Sequence, residues 1–135
     1  MRELTKIKTL YVDDMATIRS VLKKHFASLE FDDVDAASDG VDAWVMIKKA
    51  QQAGVPYELI LCDWIMPKLD GIDLLRMLRS HPEPGIRDVR FIMIAGSDEK
   101  YHHALDSGAD AVLAKPFTTS ALQKKIAFLF RRDAA

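Results

Sequence analysis

The chain has 135 residues, of which 49% are hydrophobic, and its 19 basic and 20 acidic residues give a formal net charge of −1. This length predicts one domain, residues 1–135, and the apolar content excludes a disordered chain. The balanced charge provides no basic field, so we expect no direct nucleic-acid partner. The single cysteine, Cys62, excludes an internal disulfide and a cysteine-based zinc site, and it agrees with a reducing compartment.

The sequence contains no segment typical of secretion or membrane insertion. Its first ten residues lack the apolar core of a signal peptide. No later segment reaches the ~18 uninterrupted apolar residues of a membrane helix. We therefore expect a soluble, cytoplasmic protein with no membrane insertion.

Short runs typical of β-strands alternate with longer segments of helical period along the chain. The predicted strands cover residues 7–13, 34–37, 57–63, 91–94 and 111–114. Apolar residues that share one helical face follow each strand, within residues 18–29, 41–47, 72–78, 101–107 and 122–129. This alternation predicts an α/β fold, a flavodoxin-like (βα)5 arrangement in which a doubly wound, five-stranded parallel sheet carries helices on both faces.

Charged side chains stand at the carboxyl ends of three of these predicted strands. Asp13 and Asp14 come at the end of the first strand, Asp63 ends the third, and Lys115 follows the fifth. Ligands of open parallel sheets bind beyond the carboxyl ends of the strands. We therefore expect three carboxylates and one ammonium group to meet at one edge of the sheet.

Three carboxylates within a few ångströms repel one another unless one is protonated or a cation lies between them. Oxygen ligands with positions left for water or phosphate favour Mg²⁺ over a Ca²⁺ cage, whereas zinc would favour His or Cys. The same aspartates could instead be helix N-caps or turn residues, where Asp is common. Their joint placement with Lys115 favours the metal site.

A metal and a lysine beside a carboxylate suit phosphoryl transfer. The carboxylate is ionised at neutral pH and can act as a nucleophile, while Mg²⁺ and an ammonium group draw charge from the phosphoryl oxygens. Asp63 is the best candidate because it stands alone at the end of its strand, whereas Asp13 and Asp14 are adjacent. The product would be an acyl phosphate on Asp63.

Three motifs resemble the receiver domains of bacterial two-component response regulators, most closely the single-domain chemotaxis type. They are the acidic pair at 13–14, the segment CDWIMP at 62–67 with LDG at 69–71, and KPFT at 115–118. Each motif is weak alone, but their order and spacing are highly specific. The resemblance spans nearly the whole chain.

The resemblance implies that Asp63 accepts a phosphoryl group from a histidine kinase, and that the chain promotes its own phosphorylation and dephosphorylation without being an enzyme. Asp14, Asp63 and the carbonyl of Ile65 would bind Mg²⁺ directly, and Asp13 would do so through water. Lys115 would pair with the phosphoryl oxygens, and the peptide bond after it would be cis. An unidentified downstream protein would read the phosphorylated state of a monomer or weak dimer, in chemotaxis or a stress response.

Two positions depart from the family's pattern. Ala95 stands where the family has Thr or Ser, whose hydroxyl binds the phosphoryl group, and Val112 stands where the family has an aromatic residue. We therefore expect the usual coupling between hydroxyl and ring to be absent. Ser97, two residues after Ala95, is a candidate for a substitute hydroxyl. A phosphate sink with no output of its own is an alternative function.

Ile65 occupies a position that is often polar in the family, two residues after the acceptor. An apolar side chain there cannot orient an attacking water, so we predict slow loss of the phosphoryl group.

Two other classes of protein stay open at this point. An aspartyl phosphohydrolase would need an acid–base aspartate two residues after the nucleophile, where Ile65 stands. A flavodoxin-like cofactor binder would need a phosphate loop rich in Ser, Thr and Gly after the first strand. That place is taken by the Asp13-Asp14 pair, which would repel a phosphate.

Overall fold

A computed structural model describes residues 3–96 and 98–131, without the side chains of residues 98–101. Its sheet has five parallel strands in the order β2-β1-β3-β4-β5. The strands are Thr9–Val12 (β1), Val34–Ala37 (β2), Leu59–Asp63 (β3), Arg90–Ala95 (β4) and Ala111–Ala114 (β5). The helices are Ala16–Ser28 (α1), Gly40–Gln52 (α2), Gly71–Arg79 (α3), Pro84–Arg87 (α4), Asp98–Asp106 (α5) and Thr119–Leu129 (α6), and a 3-10 turn covers Leu4–Lys6.

The predicted fold class, a five-stranded parallel sheet with helices, is confirmed, but some elements differ from the prediction. Strand β1 begins at Thr9 instead of residue 7, because the Lys8 amide donates to the Glu58 side chain, at 3.1 Å, instead of to a neighbouring strand. The short helix α4 was not predicted. It begins at Pro84, whose fixed φ and missing N–H suit the first position of a helix.

The sheet separates two apolar clusters, and alternate residues of each strand point into different clusters. In β1, Leu10 and Val12 pack on the side of α2, α3, α4 and α5, whereas Tyr11 packs on the side of α1 and α6. Burial on both faces is typical of parallel sheets, and it explains why the central strands are almost continuously apolar. Cys62 is fully buried in the first of these clusters, where burial raises the pKa of its thiol well above the usual value.

The strand order places β1 between β2 and β3, so the chain changes direction across the sheet after β2. Crevices form at such switch points, outside the carboxyl ends of the two strands concerned. The register pairs Val12 of β1 with Cys62 of β3, which brings the residues that follow them side by side. Those residues are Asp13 and Asp63.

The side chain of Arg79, at the end of α3, connects several segments near the amino ends of β4 and β5. The aspartate residues lie at the other edge of the sheet, where the strands have their carboxyl ends. Its Nε donates to the Gly108 carbonyl at 2.9 Å, and its Nη1 donates to the Arg87 and Val89 carbonyls at 2.8 and 2.7 Å. Its Nη2 forms an ion pair with Asp110 at 2.9 Å. Burial lowers the pKa of Arg79, and the Asp110 charge opposes that effect. The guanidinium group therefore connects α3 with the chain segments that precede β4 and β5.

We predict that Arg79→Met lowers the free energy of unfolding by about 1–3 kcal/mol, because the partly buried carbonyls of Val89 and Gly108 lose their donor. Urea denaturation measures the change. The matched control is Arg76→Met, on the exposed side of the same helix, which we expect to change stability by less than about 0.5 kcal/mol. Equal effects of the two substitutions would contradict the prediction.

Candidate functional site

Three carboxylates meet at the carboxyl edge of the sheet. Asp13, Asp14 and Asp63 each offer an oxygen atom, and these oxygens all lie within 4.8 Å of one another. Asp13 is fully buried, Asp63 is 8% exposed, and Asp14 is exposed. Because Asp13 directly follows β1 and Asp63 is the last residue of the adjacent strand β3, the sheet itself holds the like charges together. The predicted convergence of the three aspartates is therefore present in the structure.

Asp13 is the most deeply placed of the three. Its Oδ1 accepts a hydrogen bond from the Met15 amide at 2.9 Å, whereas its buried Oδ2 has no hydrogen-bond partner among the described residues. Burial is the main cause that raises the pKa of this carboxyl, the negative charges of Asp63 and Asp14 add to it, and the Met15 amide and Lys115 oppose it. A buried oxygen without a donor, beside two further carboxylates, fits a hard cation such as Mg²⁺.

The alternative role of these aspartates as helix caps does not explain the cluster. The N-cap residue of α1 is Met15, which forms no side-chain capping hydrogen bond. The caps of α2, α3 and α6 are Asp39, Asp70 and Thr118, and each side chain accepts an amide of its own helix. Asp13 does form a turn by accepting the Met15 amide on Oδ1, but this turn does not use Oδ2, the second carboxylate oxygen.

Lys115 follows the edge strand β5, and its side chain extends to Asp63 at the end of β3. Its Nζ lies 2.9 Å from Asp63 Oδ1, which also accepts the Trp64 amide at 2.9 Å. The Lys115 amide donates to the Ala95 carbonyl at 3.1 Å, and the bond to Pro116 is cis, as the resemblance implies. The Lys115 side chain is 38% exposed and that of Asp63 is 12% exposed, so both can meet a group that arrives from solvent.

Gly71, the first residue of α3, packs directly against the backbone of Asp63 and Trp64. Its amide donates to the Trp64 carbonyl at 2.7 Å, and a Cβ at this position would lie 2.5 Å from the Asp63 carbonyl oxygen. Only glycine allows this close approach of two backbones. The sequence showed Gly71 as part of a motif, but its contact with Asp63 depends on how α3 returns to β3.

Arg19 was not singled out in the sequence, although it contacts the site. Its Nη1 donates to the backbone carbonyl of Asp13 at 2.8 Å. An arginine on the polar side of an amphipathic helix carries no signal in a single sequence, so only the folded chain identifies this contact.

The remaining predicted site residues differ in what the structure shows of them. Ala95 and Val112 are buried, and their side chains offer neither a hydroxyl nor a ring. Ser97 lies outside the described residues. Ile65, two residues after Asp63, is 66% exposed, and the role of its carbonyl as a metal ligand stays a prediction. The Trp64 ring packs on His103 of α5, with 5.3 Å between ring centroids.

Comparison with known proteins agrees with this geometry. A family model described as the response regulator receiver domain matches residues 9–127. The chain belongs to the response regulator receiver domains. The receiver domain is 32% identical to the chemotaxis protein CheY-3 of Vibrio cholerae over 126 residues, which cover 93% of each chain.

Two solved structures extend the likeness. The receiver domain of the Francisella response regulator 1452 has a TM-score of 0.79 and 32% identity, and the match covers 95% of this chain and 99% of that chain. The receiver domain of the sensor histidine kinase PA1611 from Pseudomonas aeruginosa, solved with magnesium in its active-site cleft, has a TM-score of 0.76 and 26% identity. That match covers 91% of this chain and 96% of the other.

This membership defines the protein's class of function. A receiver domain is a two-component signalling domain, not an enzyme, and it implies a histidine kinase as phosphoryl donor and a downstream effector. Receiver domains bind Mg²⁺ in an acidic pocket, and the aspartate cluster is the candidate for that pocket here. Within the described part of the chain, no helix is long and apolar enough to cross a membrane.

We predict that Asp13→Asn raises the free energy of unfolding of the metal-free protein at pH 7 by about 1–2 kcal/mol, because it removes a buried charge that repels two others. The amide oxygen can still accept the Met15 N–H. The same substitution should weaken Mg²⁺ binding at least about tenfold, since a neutral ligand replaces a carboxylate. Urea denaturation in a chelator and calorimetric titration with Mg²⁺ measure the two effects.

The control is Asp106→Asn, which removes an equal charge from an exposed position of α5. If both substitutions change stability alike, crowding of the carboxylates does not destabilise the metal-free protein.

Proposed function

We propose that Asp63 is the phosphoacceptor of this receiver domain, and that it takes a phosphoryl group from a histidine kinase in a Mg²⁺-dependent reaction. The observation that carries the proposal is the meeting of three carboxylates with one ammonium group, which lies 2.9 Å from Asp63. Asp63 is the one of these three carboxylates that contacts Lys115, and 12% of its side chain is exposed. These two properties suit a nucleophile that must meet a donor from outside.

The carboxylates of Asp14 and Asp63 and the carbonyl of Ile65 would hold the metal directly, and Asp13 would hold it through water. The bound ion supplies positive charge that neutralises the transferring phosphoryl oxygens. Lys115 supplies a second positive charge from the other side of Asp63, and it is positioned before the donor arrives. Such preorganised charges are the main source of rate enhancement in this kind of transfer.

The transfer forms one bond and breaks one bond. An oxygen of Asp63 bonds to phosphorus as the P–N bond to the donor's histidine breaks, and the electron pair of that bond returns to the imidazole ring. The product is an acyl phosphate on Asp63, which water later hydrolyses to restore the carboxylate. The chain thus promotes its own phosphorylation and dephosphorylation.

We predict that Asp63→Asn abolishes phosphorylation by acetyl phosphate with Mg²⁺, because an amide oxygen is a poor nucleophile. Intact-mass spectrometry should show the mass of one phosphoryl group added to the native chain and none added to the variant. Asp106→Asn, at an exposed site on α5, should be phosphorylated like the native chain.

Phosphorylation of the Asp63→Asn variant at the native level would refute the acceptor assignment. Turnover of phosphomonoesters by the native chain would contradict the signalling function, and it would instead support the aspartyl phosphohydrolase.

The side chain of Ile65 controls the lifetime of the acyl phosphate in this proposal. It is 66% exposed, two residues after the acceptor, and it has no group that could orient a water molecule. General-base assistance by a positioned polar group is therefore missing on this side of the phosphoryl group. The phosphorylated state should be long-lived.

We predict that Ile65→Asn shortens the half-life of phosphorylated Asp63 by about three- to tenfold, because the amide can orient an attacking water. Phosphate release after removal of the donor measures the half-life. Val55→Asn is the matched control, since Val55 is 54% exposed and lies before β3, away from its carboxyl end. An unchanged half-life in Ile65→Asn would refute the role of this side chain.

The response to phosphorylation should differ from the family's usual coupling. Ala95 and Val112 are buried and provide no hydroxyl or ring that could move toward the phosphoryl group. This favours a muted conformational change, and it keeps the phosphate sink as a second candidate function. We further propose a single cytoplasmic domain, monomeric or weakly dimeric, that acts on a downstream protein and not on nucleic acid.

A further inference from the structure

Arg19 in α1 holds the turn that carries the acidic pair. Its Nη1 donates to the Asp13 carbonyl at 2.8 Å, and this carbonyl lies just beyond the last residue of β1. The Arg19 amide also donates to the Met15 carbonyl at 3.0 Å, within the first turn of α1. The residue therefore ties the start of the helix to the end of the strand across the turn between them.

With this contact, almost every polar atom of Asp13 has a partner. Its amide donates to the Ala37 carbonyl at 3.3 Å, its Oδ1 accepts the Met15 amide at 2.9 Å, and its carbonyl accepts Arg19. The exception is Oδ2, which is buried and has no hydrogen-bond partner among the described residues. A side chain fixed at its backbone and at one oxygen can rotate little, so the other oxygen is held in place.

The charge of Arg19 and its hydrogen bond have opposite effects on the affinity of the site for a cation. A guanidinium group near a cation site repels the cation, so charge alone predicts tighter metal binding when Arg19 is removed. The fixed geometry of Asp13 predicts weaker binding, because a ligand that must be ordered by the metal costs affinity. The two effects have opposite signs, so the direction in which Mg²⁺ affinity changes when Arg19 is removed shows which effect is larger.

We infer that Arg19 is a positioning residue for the metal site, and that it acts through the carbonyl of Asp13 and not through its charge. The inference rests on the proposed function, because it assumes that the aspartate cluster binds Mg²⁺. Arg19 itself does not contact the metal or the phosphoryl group in this account. It holds the Asp13-Asp14 turn in the geometry that receives the ion.

The first test compares Mg²⁺ affinity in the native chain and in Arg19→Met, by calorimetric titration with MgCl₂ at constant ionic strength. We expect about five- to tenfold weaker binding, a factor within the range of the net contribution of one typical hydrogen bond. Arg76→Met, on the exposed side of α3, removes the same charge and should leave the affinity unchanged. Arg19→Lys keeps a charged donor and should recover part of the loss.

Unchanged or tighter binding in Arg19→Met would overturn the inference, and so would equal losses in the Arg19→Met and Arg76→Met variants. A thermal melt of each metal-free variant separates positioning from unfolding, because we expect the melting temperature of Arg19→Met to stay close to that of Arg76→Met.

A second test does not depend on the metal. Hydrogen exchange in the metal-free protein, followed by NMR, reports the Met15 amide, which donates to Asp13 Oδ1. Arg19→Met should accelerate its exchange about fivefold or more, since the turn loses one of its hydrogen bonds. The Asp42 amide, which donates to the Asp39 side chain at 2.7 Å, is the internal control.

Unchanged exchange at Met15 would overturn the inference even if Mg²⁺ affinity fell. If the native chain binds no Mg²⁺ at all, the proposed metal site fails, and the exchange result still decides whether Arg19 orders the turn.

Discussion

The crowding of like charges at the carboxyl edge of the sheet is the constraint on which the site depends. Three carboxylates lie within 4.8 Å of one another, and one of them, Asp13, is fully buried. The strands β1 and β3 hold two of these groups together against their repulsion, because the residues cannot separate without breaking the pairing of Val12 with Cys62. This arrangement costs stability in the absence of a cation, and the same energy favours binding of a cation. Lys115 offsets part of the charge, by its ion pair with Asp63 and by its weaker effect on Asp13.

The rest of the fold makes that edge rigid. Both faces of the sheet are covered by apolar clusters, so the strand ends have little freedom to move apart. The loop after Asp63 is fixed by Gly71, whose amide donates to the Trp64 carbonyl. The chain after β5 is held by the Lys115 amide on the Ala95 carbonyl. The charged groups thus project from backbone segments that are each hydrogen-bonded to the sheet or to a neighbouring helix.

Contacts lead away from Asp63 at the surface of the domain. The Trp64 amide donates to Asp63 Oδ1, and the Trp64 ring packs on His103 of α5. Ala95 and Val112 are buried instead, at 3% and 4% exposure, and they offer neither a hydroxyl nor a ring. The loop after Asp63 therefore connects the aspartate cluster with α5.

The sequence by itself determined the alternation of strands and helices, the fold class, and the four charged side chains at the strand ends. These features follow from local periodicity and from the rule that parallel strands align their carboxyl ends, so no distant contact was needed to find Asp63 and Lys115. The tertiary structure alone decided the start of β1 at Thr9, the short helix at Pro84, the close approach of Gly71 to Asp63, and the hydrogen bond from Arg19 to Asp13. Each of these depends on which backbone atoms lie within hydrogen-bond or van der Waals distance once the chain is folded. Residue type and periodicity do not encode such distances.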